Sequence, residues 1–216
     1  MIKYVLFDLD GTLTDPGLGI TNSVAYALKK FGIEVQSREE LYKFIGPPLV
    51  NSFSEFCGLS KEDALLALAY YREYFAPHGI YENELYLGID SLLFELKRAG
   101  KMLILATSKP EEFANPILRH FGIDGYFDAV CGNTLSEMRP KKEDVISYAK
   151  ELYPDISSEN AIMVGDRMHD VVGAARFSIP CVGVLYGYGG ERELDEAGAR
   201  YKVGSVEELR GLLLSL

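Results

Sequence analysis

Short apolar runs alternate with amphipathic stretches along most of the chain. Residues 3–8, 102–107 (MLILAT), 127–131, 161–165 and 180–185 are brief, β-rich and largely apolar. Such runs predict parallel strands buried on both faces. Residues 201–203 predict a short edge strand. Between these runs, apolar residues recur at helical spacing over 90–99, 111–121, 142–152, 170–177 and 206–214, with Gly100 and Gly122 as stops for the first two. Strand–helix alternation of this kind predicts an α/β fold, a parallel sheet with helices on both faces.

One long stretch breaks the alternation. Residues 20–31, 38–44, 48–56 and 61–75 all carry helical patterns, and no convincing strand lies among them. An all-helical segment between the first strand and the rest of a sheet predicts an inserted cap. The expected division is a core of 1–15 and 84–216 and a cap of 16–83. Asp15-Pro16-Gly17 marks one boundary as a hinge. The other, around 83–88, carries a weaker signal.

Composition narrows the function classes. With 48% hydrophobic and 25% charged residues, the chain reads as an ordinary globular protein. Its apolar runs fall far short of the roughly 20 residues that span a bilayer. Asp8 and Asp10 interrupt the N-terminal apolar stretch and no small-residue cleavage site follows, so the expected location is cytoplasmic. Three widely spaced cysteines, Cys57, Cys131 and Cys181, argue against a disulfide framework or a zinc cluster. A net charge of −10 disfavours nucleic-acid backbones and anionic membranes as partners. It also means that a site for a small anionic ester needs a local cation.

Four polar clusters follow predicted strands or open helices. Asp8-Leu9-Asp10-Gly11-Thr12 ends the first run; residues two apart on extended chain point the same way, so both carboxylates emerge together at the strand's carboxyl end. Gly11 permits a sharp turn and close approach to a ligand. A bound Mg2+ would relieve the repulsion between the acids, leaving Asp8 ionised to attack phosphorus and Asp10 able to hold a proton for the leaving oxygen. Thr107-Ser108-Lys109 follows MLILA and offers hydroxyls and N–H groups to a phosphoryl oxygen, although such a run also serves as an N-cap. Arg139-Pro140-Lys141-Lys142 precedes a helix and offers a lysine to a transferring phosphoryl group. In Gly165-Asp166-Arg167-Met168-His169-Asp170, Asp166 can complete an all-oxygen metal site and Asp170 can support the loop. His169 is a poor ligand for a hard cation and reads as a loop residue.

Taken in order, these clusters resemble the haloacid dehalogenase superfamily, in its phosphoglycolate phosphatase-like branch with a helical cap after the first strand. The resemblance covers essentially the whole chain and implies a Rossmann-like core. Asp8–Thr12 matches the family's DxDGT, Thr107 its Ser/Thr after a hydrophobic strand, and Gly165–Asp170 its GDxxxD. It implies Asp8 as nucleophile, Asp10 as acid/base and main-chain metal ligand, and Asp166 as metal ligand. Thr107, Ser108, Gly11 and Thr12 are then expected to hold phosphate, and Mg2+ to be bound by Asp8, Asp10 and Asp166. The lysine motif departs from the family's Lys-Pro-x-Pro. Lys142 and Lys141 are both candidates, with Lys142 preferred as closer to the helix start, and Arg139 takes the aligned position.

The implied activity is Mg2+-dependent hydrolysis of a small phosphorylated metabolite (phosphoglycolate, nucleotide, sugar phosphate or pyrophosphate) by a monomer or homodimer. A phosphomutase shares every core motif, and a non-catalytic regulatory relative is the rival from another class. Specificity is expected from the cap, where Gly46-Pro47-Pro48 resembles a substrate-facing loop. Asn51, Ser52, Arg72 and His78 are unranked polar candidates. Tyr70, Tyr71 and Tyr74 read as packing residues. Gly187-Tyr188-Gly189-Gly190 follows a strand and is expected to border the site, without being a nucleotide fingerprint.

Overall fold

The computed structural model describes residues 1–216. Six parallel strands form one sheet: β1 (Tyr4–Phe7), β4 (Met102–Pro110), β5 (Ala129–Asn133), β6 (Ala161–Gly165), β7 (Cys181–Val184) and β8 (Tyr201–Val203). Their order is β5-β4-β1-β6-β7-β8, and the two-residue strands β2 (Thr14–Asp15) and β3 (Glu84–Leu85) pair separately with each other. Every residue of β1, β6 and β7 is buried, which is why these strands read as unbroken apolar runs.

Burial on two faces follows from the pleat. Tyr4, Leu6, Ile104, Ala106 and Met163 form one face and pack with Val145, Ile146 and Ala149 of α6 (Lys142–Leu152) and Val171 and Ala174 of α7 (Met168–Ala175). The alternate residues Val5, Phe7, Leu103, Leu105, Ile162 and Val164 are equally buried and point to the opposite face. Helix α4 (Ile89–Arg98) buries Ile89, Leu92, Leu93 and Leu96, and it packs on β4 and on α9 (Val206–Ser215).

The strand order decides where chemistry can sit. Chain growth runs from β1 outward to β4 and β5 on one side, then returns to β6, β7 and β8 on the other. The loops after β4, β1 and β6 therefore lie side by side at the carboxyl edge, at the point where the winding reverses.

The chain divides into two compact units, Met1–Thr14 with Leu85–Leu216, and Asp15–Glu84. The second unit is helical: α1 (Gly17–Lys30), a 3-10 segment Glu39–Phe44, α2 (Leu49–Cys57) and α3 (Lys61–Tyr74). A wider π turn over Phe75–Gly79 continues α3. Ser60 caps α3 by accepting the Asp63 N–H at 3.1 Å. Phe44 and Phe53 meet at 5.3 Å between ring centres, and Tyr71 stacks on Phe75 at 5.2 Å.

Several elements depart from the sequence expectation. Residues 38–44 form a 3-10 segment in place of an α-helix. Strand β5 begins two residues late because the 3-10 turn Asp124–Tyr126 precedes it. Helix α7 begins two residues early, with Asp170 accepting the Arg167 N–H at 3.1 Å. Helix α8 (Glu191–Ala197) has no counterpart in the pattern, because Leu194 is its one buried residue and carries no periodicity. Helix α5 (Glu111–His120) matches its expected start and runs through Pro116. No helix is long and apolar enough to cross a membrane.

Candidate active site

The first cluster grows directly out of the sheet. The Asp8 N–H continues the ladder by donating to the Val164 carbonyl at 2.9 Å. The chain then turns at Gly11, whose φ of +79° lies in the left-handed region. A Cβ there would overlap the Asp166 carboxylate, so this glycine also lets the loops after β1 and β6 touch. The turn consumes its own donors: Gly11 N–H bonds the Thr14 carbonyl at 2.8 Å, and Thr12 N–H bonds Leu9 at 3.2 Å. The main-chain N–H groups of Gly11 and Thr12, both expected to hold phosphate, are thus taken up within the turn, while the Thr12 hydroxyl is buried without a hydrogen-bond partner. Tyr186 braces the same turn by donating to the Thr12 carbonyl at 3.1 Å.

Strand β4 is irregular between Ala106 and Pro110, where its register with β5 shifts. Bulges re-aim groups at sheet rims. Here the Ala106 carbonyl accepts Lys142 Nζ at 2.9 Å. The same ammonium lies 2.8 Å from Asp8 Oδ1 and 2.8 Å from Asp170 Oδ1. Three oxygens thus match its three N–H groups. Burial works against the charge, but Asp170 and Asp8 outweigh it and hold the ammonium above the ordinary lysine range. Gly173 makes this possible, since a Cβ on it would meet the Lys142 stem at 2.8 Å. Lys141 is not brought to the cluster. Its side chain is 69% exposed and its salt-bridge partner is Glu143 at 3.9 Å.

Asp166 and Asp170 follow β6. Asp166 is fully buried and its Oδ2 accepts the Tyr188 N–H at 2.7 Å, so the glycine-rich 187–190 segment borders the cluster. Burial, with the charges of Asp170 and Asp8 behind it, raises the Asp166 pKa well above the usual carboxyl range. Burial likewise pushes Asp170 up to about 6 against the pull of Lys142. His169 does not join them, and burial pushes its imidazole down.

Asp10 meets a partner that residue types alone did not single out. Lys109 Nζ lies 2.5 Å from Asp10 Oδ2, with the two side chains 6% and 13% exposed. Burial raises the Asp10 pKa, and Lys109 acts in the opposite direction. Thr107 is buried, and its Oγ1 accepts the Lys109 N–H at 3.2 Å. Ser108 is half-buried beside it. The signal for Lys109 was its place one residue beyond the Thr-Ser pair, which the hydroxyls overshadowed. Arg139 is built into the scaffold. It donates to the Gly132 carbonyl and the Glu111 carboxylate, each at 2.7 Å, and stacks over Tyr148.

Within the helical unit, Ser52 leaves the list of polar candidates: it is buried and donates to the Pro48 carbonyl at 3.2 Å. Tyr70, Tyr71 and Tyr74 pack against Phe31, Phe75 and Tyr26. Tyr74 also donates to Glu82 at 3.1 Å. Asn51 is exposed, and His78 lies against Tyr74.

A cation fits the core cluster on three grounds. Asp8, Asp166 and Asp170 offer oxygens within 4.8 Å of one another. Oδ1 of Asp10 and Oδ1 of Asp166 are buried without a hydrogen-bond partner. Four carboxyls share the two ammonium groups of Lys109 and Lys142, so with all four ionised the cluster lacks two positive charges; burial makes that state expensive, and the raised carboxyl pKa values express the cost. A hard divalent ion matches both the oxygen donors and the deficit. Asp170 is engaged by Lys142 and the Arg167 N–H, so Asp8 and Asp166 are the acids best free to ligate.

Residues 5–184 match the family described as haloacid dehalogenase-like hydrolase. A 5'-nucleotidase of Pseudomonas aeruginosa is 43% identical, over 98% of this chain and 95% of its own length. The tyrosine-protein kinase PtkA of Mycobacterium tuberculosis is 39% identical, over 98% of this chain and 72% of its own. The crystal structure of a predicted phosphatase from Clostridium acetobutylicum superposes with a TM-score of 0.97 at 50% identity, and the match covers all of both chains.

Proposed function

The chain belongs to the haloacid dehalogenase-like hydrolases, and from that premise we propose that this phosphatase cleaves small phosphate monoesters through a phosphorylated Asp8. The observation that carries the reading is the buried charge deficit around Asp8 and Asp166, with Lys142 fixing Asp8 from one side. Nucleoside 5'-monophosphates are the first class to test, because a relative 43% identical is named a 5'-nucleotidase.

In the proposed reaction an Asp8 oxygen attacks phosphorus in line, and the bond to the leaving oxygen breaks with its electron pair going to that oxygen. Asp10 delivers the proton that neutralises it. Asp10 then takes a proton from water. The water oxygen bonds to phosphorus, the bond to Asp8 breaks, and inorganic phosphate leaves. Lys142 holds Asp8 oriented and offsets charge gathered at the phosphoryl group. The Thr107 hydroxyl and Ser108 are assigned to the phosphoryl oxygens. Asp8 and Asp166 side chains, with the Asp10 main-chain carbonyl, would hold Mg2+, whose contribution is to neutralise the ester's charge and the acids together.

The test is phosphate release from a panel of nucleotides, phosphoglycolate, sugar phosphates and pyrophosphate, with Mg2+ or EDTA, for wild type and Asp8→Asn. Mg2+-dependent release that the variant lacks supports the reading. Release surviving in Asp8→Asn, checked for deamidation, sinks the phospho-Asp8 intermediate. The kinship with a tyrosine kinase warrants one added arm: transfer of labelled phosphate from ATP to protein tyrosine in place of water.

A further inference from the structure

We propose that Lys109 is a positioning residue for Asp10: it tethers one carboxylate oxygen so that the other stands aligned for proton transfer before substrate arrives. The inference rests on Asp10 being the acid/base of the reaction proposed above.

Three observations converge on it. Lys109 Nζ sits 2.5 Å from Asp10 Oδ2, and both side chains are nearly removed from water. Asp10 Oδ1 is buried and has no hydrogen-bond partner. The Lys109 backbone is itself pinned: its N–H bonds Thr107 Oγ1, and the next residue, Pro110, re-enters register with Asn133 of β5. A carboxylate torsion is broad when nothing holds it. Here a fixed ammonium holds one oxygen and leaves the second to the chemistry.

Lys109 is also separate from the other buried lysine. Lys142 serves Asp8, Asp170 and the Ala106 carbonyl, so each acid of the first cluster has its own cation. During ester cleavage the proton passes from Asp10 to the leaving oxygen as the phosphorus–oxygen bond breaks. Lys109 keeps its protons throughout and forms no bond to the reacting atoms.

The leaving group supplies the test. Cleavage of adenosine 5'-monophosphate expels an alkoxide that needs a proton, whereas p-nitrophenolate departs without one. We would measure kcat/KM, which reports steps up to leaving-group departure, on both esters with Mg2+. The proteins are wild type, Lys109→Met, Lys109→Arg, Asp10→Asn and the Lys109→Met/Asp10→Asn double variant. The expected loss in Lys109→Met is on the order of 100-fold for the nucleotide and under about 5-fold for p-nitrophenyl phosphate. Lys109→Arg should recover part of the ratio, and the double variant should be no worse than Asp10→Asn alone. The ratio of the two esters within one variant is independent of the folded fraction, so poor folding cannot mimic the result.

Equal losses on both esters, or a further loss when Lys109→Met is added to Asp10→Asn, would overturn the proposal and make Lys109 a ligand of the substrate. No change of ratio in Lys109→Met overturns it as well. An unchanged ratio in Asp10→Asn would instead remove Asp10 as the acid. Wild type inactive on both esters would fail the phosphatase reading, and this inference with it.

Discussion

The two units of this chain bury polar groups in opposite ways. In the helical unit, the fully buried polar side chains are Thr21, Ser23 and Ser52, and each hydroxyl donates to a carbonyl four residues back in its own helix or at its start. The sheet unit buries Asp8, Asp166, Asp170, Lys109 and Lys142 at the carboxyl ends of adjacent strands and leaves Oδ1 of Asp166 and of Asp10 without a hydrogen bond. The first pattern is what a sequence needs in order to fold. The second conflicts with folding and makes sense as a site, because local rules are broken where function requires it. Substitutions in the two units should therefore separate activity from stability.

The largest separation is expected at Asp8. Asp8→Asn should lower turnover by at least about 10^4-fold, as loss of a nucleophile does. In EDTA its melting temperature should equal or exceed that of wild type, since one charge leaves a cluster already short of cations. Mg2+ should stabilise the wild type by about 2.7 kcal/mol at a hundredfold excess over Kd, and so raise its midpoint, and should stabilise the variant much less. A variant that melts lower than wild type in EDTA would show that Asp8 is a net stabilising member of the cluster.

The lysines sharpen the same contrast. Lys142→Met strips the cation from Asp8 and Asp170 and should cost about 3–5 kcal/mol together with activity. Lys141→Met alters an exposed side chain and should stay within about 0.5 kcal/mol, with activity retained. Thermal melts and phosphate release on the pair decide the matter. Comparable losses would mean that the surface lysine reaches the site during turnover.

This pair also marks how far the sequence could be read. The strands were legible because burial on both faces leaves unbroken apolar runs, and three of the four polar clusters because each hangs on a strand end. Adjacent lysines at 141 and 142 could not be separated, since the choice depends on the rotation of α6 and on the space left by Gly173. Lys109 was hidden for a similar reason. Its role comes from a bulge in β4 that carries the chain toward Asp10, and a bulge leaves no compositional mark. Helix α8 was missed because a single buried leucine gives no period.

A break inside the helical unit should do the reverse of one at Asp8. Phe53 is fully buried against Phe44, and Phe53→Ala should cost about 3–5 kcal/mol through the cavity it leaves. The Mg2+-induced rise in the sheet unit's stability should persist in this variant, followed by hydrogen exchange of β1 and β6 amides. Loss of that rise would mean the two units do not divide stability and ion binding as argued.

The smallest expected effect is in the pH dependence, and it has an unusual sign. Carboxyls usually lose stabilising interactions as pH falls, because folding lowers their pKa. Burial here raises Asp10 and Asp166, and lifts Asp170 to about 6, above the ordinary value near 3.9. Between those limits the native state binds more protons than the unfolded chain, so stability must fall as pH rises from about 4 to about 6. His169 pulls the other way, since its folded pKa is lowered and its contribution grows as pH rises through the ordinary imidazole range. Glu39 and Asp155 are held below the ordinary range by their hydrogen bonds and also oppose the trend, but both are exposed and their windows close at about pH 4. Three raised, buried carboxyls then leave the net slope negative in EDTA, read from urea midpoints at successive pH values. Saturating Mg2+ should flatten or invert that slope, because an ion held by Asp8 and Asp166 favours the ionised acids. A positive slope in EDTA would mean that Lys109 and Lys142 already neutralise the cluster, which would leave no charge deficit for a divalent ion to fill.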